Sequence, residues 1–375
     1  MIENYVKLGD LATYINGYAF KPQDRGDAGL PIIRIQDLTG NSYDKGFYDG
    51  EYPSKIEINN GDVLISWSAS LGVYLWNGGK ALLNQHIFKV DFDKKEIDKN
   101  YFIYAVRFSL KKLRQLTHGA TMKHIVKRDF ENVSIPYPLI KEQKKIAKIL
   151  KELEEIIEIK QKELSKLDTL IKARFVEMFG DIKNNQKYNY KQISSFTNVV
   201  SGGTPKRDVK EYWDNGTIPW VKTTELKNKK VNSTEEYITK SGLQNSSAKL
   251  VPAHTILIAM YGQGKTRGMT AYLEKEAATN QACACILPSS NINSEYLWQY
   301  LIMSYNELRN MAKGGNQPNL NSRIIKNFPV LYPPVSLQNK FASFVQQVDK
   351  SKVVIQKSLD ETQTLFDSLM QKYFS

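Results

Sequence analysis

The residues with the most explicit chemical potential lie at 259–266, "AMYGQGKT". A phosphate-cradling loop needs the spacing G-x-x-x-x-G-K-[ST] after a strand, so that backbone N–H groups and one lysine converge on phosphate oxygens. Gly264, Lys265 and Thr266 fit, and the preceding "TILIAM" is strand-like. Ala259 stands where the first glycine belongs, and no acidic strand suggests itself as a magnesium ligand. The segment reads instead as a glycine-containing loop that presents Lys265 and Arg267 to anionic groups. "YPPV" at 332–335 approaches the Asn/Asp-Pro-Pro-aromatic motif of amino methyltransferases. It lacks the Asn or Asp that must accept from the target amino group. No H-E-x-x-H, G-x-S-x-G or Cys–His cluster is present. Cys283 and Cys285 alternate with alanine in an apolar run, which places both on one strand face. Neighbouring thiols cannot staple a domain, and His86, His118, His124 and His254 are too few and scattered to suggest a metal site.

The remaining chemistry is binding. The formal net charge of +13 favours an anionic partner, nucleic acid or a membrane surface. Loops rich in basic, amide, hydroxyl and aromatic side chains recur along the chain. In the first half they hold Tyr18, Lys21, Arg34, Gln36, Ser68, His118, Thr121 and Lys123. In the second half they hold Lys206, Arg207, Lys222, Thr223, Gln263, Lys265, Arg267, Lys313, Asn316, Gln317 and Asn319. Arginine and lysine suit guanine edges and phosphates, and asparagine and glutamine suit adenine edges. These residues are the candidate DNA contacts.

The elements that position them are duplicated. "HGATMKHIVKRDFENVSIPYPLIKEQKKIAKIL" (118–150) aligns without a gap on "KGGNQPNLNSRIIKNFPVLYPPVSLQNKFASFV" (313–345). Arg128 meets Arg323, a step of 195, and Asn132, Tyr137, Gln143 and Ala147 meet Asn327, Tyr332, Gln338 and Ala342. Upstream, Tyr101 meets Tyr296 and Arg114 meets Arg309. The echo continues more weakly. "LGDLATYINGYAF" (8–20) resembles "ISSFTNVVSGGTP" (193–205), and "PIIRIQDL" (31–38) resembles "PWVKTTEL" (219–226). The chain is two copies of one unit of about 190 residues.

Each copy opens with short β-branched runs punctuated by Gly, Asn and Pro, an α/β mixed (α+β) pattern. Each closes with a long helix. Ile146, Leu150, Leu153, Ile157, Leu164, Leu167, Ile171 and Met178 keep a heptad, interrupted by Lys160 and Arg174. Phe341, Val345, Val348, Ile355, Leu359, Phe366, Leu369 and Tyr373 keep it again, interrupted by Lys352 and Thr362. A 3.5-residue repeat predicts a coiled coil. The expected division is a first globular domain at 1–138, a helix and linker at 139–187, a second globular domain at 188–335 and a C-terminal helix at 336–375. No apolar run is long enough to span a bilayer and the N-terminus has no secretory pattern. A reduced, cytoplasmic protein is expected.

The twofold repeat, "KLGDLATYINGYAF", "GDVLISWSASLG" followed by "LNQHIF", and "IPYPLIKEQKKIAKILKELEEII" together resemble the specificity subunits of type I restriction–modification systems. The resemblance covers essentially the whole chain. It implies two target-recognition domains separated by two helices in an antiparallel coiled coil, each domain reading one half of a bipartite double-stranded DNA target. It implies no catalytic activity and no cofactor in this chain. It implies docking of two modification subunits that bind S-adenosylmethionine and methylate adenine, and of restriction (motor/nuclease) subunits, with ATP and Mg on those partners. The helices at 141–179 and 336–374 would set the half-site separation. Two other readings are a single-chain DNA-modifying enzyme and a coiled-coil scaffold with two protein-binding heads.

Overall fold

The computed structural model describes residues 4–42, 44–116, 126–262, 264–312 and 319–375, with the side chains of 112–116 not described. The chain divides into two compact units, Met1–Gln161 with Lys357–Ser375, and Lys162–Gln356. The division falls within both long helices, so each unit holds part of each.

The first unit runs through β1 (Tyr5–Lys7), β2 (Thr13–Asn16), β3 (Leu30–Ile33), α1 (Ile35–Leu38), β4 (Phe47–Tyr48), β5 (Glu57–Ile58), β6 (Val63–Ser66), β7 (Gly72–Leu75), β8 (Ala81–Leu83) and β9 (Ile87–Asp91). Helices α2 (Lys99–Leu116) and α3 (Lys127–Glu131) and strand β10 (Ser134–Pro136) lead into α4 (Ile140–Phe179). One sheet has the order β2-β9-β6-β7 and a second β4-β3-β8-β5, with β3 and β8 parallel. Strand β6, "VLIS", is buried throughout. Val63 and Ile65 face the core that includes α2, and Leu64 packs on the opposite side with Ile33 and Leu83. Two covered faces explain why this strand reads as a continuous apolar run.

The second unit repeats the plan. Its elements are β11 (Tyr190–Gln192), β12 (Val199–Ser201), β13 (Ile218–Val221), β14 (Lys229–Val231), β15 (Glu236–Ile238), α5 (Lys240–Gln244), β16 (Ile256–Ala259), β17 (Thr270–Leu273), β18 (Ala278–Thr279) and β19 (Cys283–Ile286). Then come α6 (Ser294–Met303), α7 (Tyr305–Asn310), α8 (Ser322–Lys326), β20 (Pro329–Leu331) and α9 (Val335–Phe374). The sheets are β12-β19-β16-β17-β14 and β15-β13-β18, with β13 and β18 parallel. Cys283 and Cys285 share the face of β19 that packs with Leu257 and Ala259, while Ala284 and Ile286 face the other core.

The repeated residues build the same joint twice. In the first unit Gln143, 1% exposed, accepts from the Asp98 N–H at 3.0 Å and donates to the Pro138 carbonyl at 2.8 Å. In the second, Gln338 accepts from the Asn293 N–H at 2.9 Å and donates to the Pro333 carbonyl at 2.8 Å. The Tyr101 hydroxyl donates to the Pro136 carbonyl and the Tyr296 hydroxyl to the Leu331 carbonyl, each at 2.9 Å. Strand pairs β1–β10 and β11–β20 close the two joints. A buried amide must find partners for both its ends, so one glutamine locks the start of a long helix to the residue before α2 in one unit and before α6 in the other.

Neither long helix contains an internal proline or glycine, and Gly180, at φ +85°, ends α4. Within the second unit α4 and α9 run antiparallel: Asp168 meets Lys352 at 2.6 Å, and Phe175 meets Phe341 with ring centroids 5.5 Å apart. Lys352, polar at a heptad core position, thus finds a carboxylate on the facing helix. Both helices leave the heptad in their last turns. Phe175 and Phe179, not Arg174 and Met178, are the buried residues of α4, and Met370 and Phe374 replace Leu369 and Tyr373 in α9. The physical cause is local. These turns insert into a globular core, Phe175 and Phe179 against Tyr296 and Phe374 against Tyr101, which a helix of 3.6 residues per turn reaches by i, i+4 steps.

Candidate nucleic-acid interface

The loop after β12 is held close to its neighbours. A Cβ on Gly203 would fall 2.3 Å from the Ser247 carbonyl carbon, so only glycine fits there. The Trp220 indole donates to the Gly203 carbonyl and the Trp213 indole to the Lys206 carbonyl, both at 3.0 Å. The exposed Lys206 and Arg207 follow. The Arg207 guanidinium lies 3.8 Å over the Trp213 ring and 4.7 Å over Trp220. Its Nη1 meets Glu236 Oε2 at 2.5 Å. Lys222 meets the other Glu236 oxygen and Glu235, each at 2.9 Å. Partial burial works to raise the Glu236 pKa, but hydrogen bonds from Lys222 and Arg207 win, and its carboxyl stays below the ordinary range. Lys222 is correspondingly held above its usual value by Glu236 and then Glu235. Thr223 is half-buried beside Lys222. An open cleft of about 380 Å³ is lined by Arg207, Lys210, Trp213, Asp214, Glu236 and Tyr237. Of these, only Arg207 is among the candidates the sequence suggests; the cluster Lys210, Tyr212 and Trp213 just after "KRD" is the signal that points to the rest.

The glycine-containing segment at 261–267 connects β16 to the antiparallel β17. It is therefore a strand-to-strand loop with no helix following it, and it lacks the helix N-terminus on which a nucleotide phosphate loop depends. Helix α7 fixes its shape. Arg309 donates to the Gly264 carbonyl at 2.5 Å and the Arg267 carbonyl at 3.0 Å, and Tyr305 donates to the Lys265 carbonyl at 2.7 Å. Lys265 is exposed and Arg267 half-buried.

In the first unit Tyr18 is 42% exposed, edge-on to Phe20 at 5.0 Å. Lys21 and Gln36 are exposed. Ser68 and Arg34 are buried. Arg34 reaches Asp37 at 3.3 Å and donates to the Asp44 carbonyl, so its guanidinium braces the turn after β3. Asn319 is half-buried. His118, Thr121, Lys123, Gln263, Lys313, Asn316 and Gln317 lie outside the described residues. Among the described residues no group of three or more His, Cys, Asp or Glu could hold a metal, and no helix is long and apolar enough to cross a membrane.

Two repeated frames with unlike polar loops suit recognition of two unlike targets, and comparison with known proteins decides the family. Residues 3–169 and 185–362 match the model of the type I restriction modification DNA specificity domain. The chain belongs to this family. As a specificity subunit it recognises DNA target sequences and assembles with the other subunits of its complex, in a non-catalytic part. The MjaVIII specificity subunit of Methanocaldococcus jannaschii is 23% identical over 395 residues, covering 97% of this chain and 90% of its own length. The EcoR124I/EcoR124II specificity subunit of Escherichia coli is 28% identical over 163 residues, 43% of this chain and 40% of that one. The crystal structure of a type I S subunit from M. genitalium shares the fold at a TM-score of 0.59 and 17% identity, covering 99% of this chain and 96% of that one. A structure concerned with complex assembly and conformational transition of the type I system gives a TM-score of 0.58 at 14% identity, covering 99% and 97%.

Proposed function

We infer that this specificity subunit reads a bipartite, asymmetric target in double-stranded DNA, one half-site with each globular region. The observation that carries the reading is the combination of a repeated joint with unrepeated loops. Gln143 and Gln338 make matching hydrogen bonds, whereas the Arg207–Trp213–Glu236 cluster stands where the first copy has no tryptophan. The exposed residues Tyr18, Lys21, Gln36, Lys206, Arg207 and Lys265 are the candidate DNA contacts within the described structure.

Each 40-residue helix is about 60 Å long at 1.5 Å per residue, the length of a ruler for two half-sites with unspecified DNA between them. The helices also dock two modification subunits, which carry S-adenosylmethionine and methylate adenine, and restriction subunits using ATP and Mg complete a cleaving complex. The test is to map methylated adenines in DNA from cells carrying this chain with its modification subunits. The expected result is two short defined half-sites at one fixed separation. A single contiguous motif, or methylation without sequence preference, refutes the reading.

A further inference from the structure

We propose that Arg207 reads a guanine in the half-site of the second globular region, with Glu236 and the two tryptophans as its mount. This rests on the bipartite reading above. A guanidinium that recognises guanine must present a planar pair of donors to O6 and N7 in the major groove. Arg207 is set up for that task. Its Cζ lies 3.8 Å from the centre of the Trp213 ring, and Glu236 holds Nη1 at 2.5 Å. Glu236 is itself fixed by Lys222 at 2.9 Å. The side chain stays 52% exposed, and its other donors have no partner among the described residues. Its rotamer freedom is therefore lost before DNA arrives, which lowers the entropic cost of each contact.

The surroundings favour a base edge over a phosphate. Glu236 bonds the guanidinium directly, and Asp214 and Glu236 line the same cleft. The Glu236 contact takes up part of the Arg207 charge, which weakens its pull on a phosphate more than its hydrogen bonding to a neutral base edge. Lys206 and Lys210 are exposed on the same loop and can take the flanking phosphates. The arrangement is private to one half of the chain. In the aligned segments "PIIRIQDL" and "PWVKTTEL", Ile32 occupies the position of Trp220.

The test uses the full chain in complex with its modification subunits. Its mapped target is synthesised with each guanine of the second half-site replaced in turn by 7-deazaguanine, which lacks the N7 acceptor. One replacement should weaken wild-type binding about tenfold, and R207A should no longer distinguish that duplex from the unmodified one. Methylation mapping with R207A should then show any base tolerated at that position, with the first half-site unchanged. R207K keeps the charge but not the fork, and should relax the same position. The proposal is overturned if no guanine of that half-site is sensitive in the wild type. It is equally overturned if R207A weakens all duplexes alike while R207K behaves as wild type, the signature of a phosphate contact. The deazaguanine scan needs only wild-type protein, so a variant that fails to fold leaves the question decidable. A wild-type complex that yields no bipartite motif overturns the broader reading as well, and is recognised by failing before any variant is made.

Discussion

Replacing Gln338 with leucine should loosen the second joint and leave the bases read untouched. Gln338 is fully buried, and its amide satisfies the Asn293 N–H at 2.9 Å and the Pro333 carbonyl at 2.8 Å. Leucine fills a similar volume, so the loss is chiefly polar. The Pro333 carbonyl is in a buried residue, and stranding it costs about 1–3 kcal/mol. Asn293 is half-buried, which puts its N–H near the lower end, about 1 kcal/mol. The sum is about 2–4 kcal/mol against the second unit. Urea denaturation of wild type and variant measures it, and hydrogen exchange at the Asn293 amide locates it. Asn339→Ala is the control. It removes a 2.9 Å bond from the Asn293 side chain at an exposed position and should cost under about 1 kcal/mol. Gln143→Leu, which breaks bonds of 3.0 and 2.8 Å, should reproduce the loss in the first unit. A Gln338→Leu protein within about 0.5 kcal/mol of wild type, the range of an ordinary surface change, refutes the joint.

The other expectations concern charge and modularity. Burial raises the Glu295 carboxyl above its ordinary value near 4.5, with Lys230 opposing the shift. The folded chain therefore holds this proton more tightly than the unfolded chain, and stability relative to Glu295→Gln should fall as pH rises from about 4.5 through the raised value. A difference between the two unfolding free energies that is flat or rises with pH refutes this. Exchanging residues 188–333 for the matching region of another specificity subunit should change one mapped half-site only; a change in both defeats the modular reading. Adding one heptad at Lys160 and a matching one at Gln356 should lengthen the gap between half-sites while keeping their bases. Altered bases with an unaltered gap would defeat the ruler.

Much of this architecture was legible because it is written twice. The Gln143/Gln338, Tyr101/Tyr296 and Tyr137/Tyr332 pairs all prove to be joint residues, the last donating to the carbonyls of Glu96 and Asn291. The long helices follow from apolar spacing without helix breakers. Their final turns depart from the heptad, which a window of one or two turns cannot reveal because it does not separate a period of 3.5 from 3.6; what chooses Phe175 over Arg174 is the aromatic core it enters. Arg34 belongs to the candidate contacts by its place in a polar segment that recurs in both copies, and the structure buries it. Its burial depends on a carbonyl ten residues away, at Asp44, which no local pattern announces. The mount of Arg207 was hidden for the same reason, since Glu236 lies far along the chain on a neighbouring strand.

Arg34 and Lys222 show how one frame can serve two targets. They hold matching places in the aligned segments, one residue beyond β3 and β13. The backbone does the same thing at both. The Arg34 N–H donates to Asp37 and the Lys222 N–H to Glu225, each at 2.8 Å, three residues on. The side chains part company. Arg34 is buried and braces its own turn, and Lys222 holds the carboxylate that Arg207 also meets. The carboxylate three residues on caps the turn in both copies, so the residue at the turn's start can differ between them while its N–H keeps the same kind of partner. Two copies of the frame can therefore carry unlike side chains at matching positions, as the proposed two-part target requires.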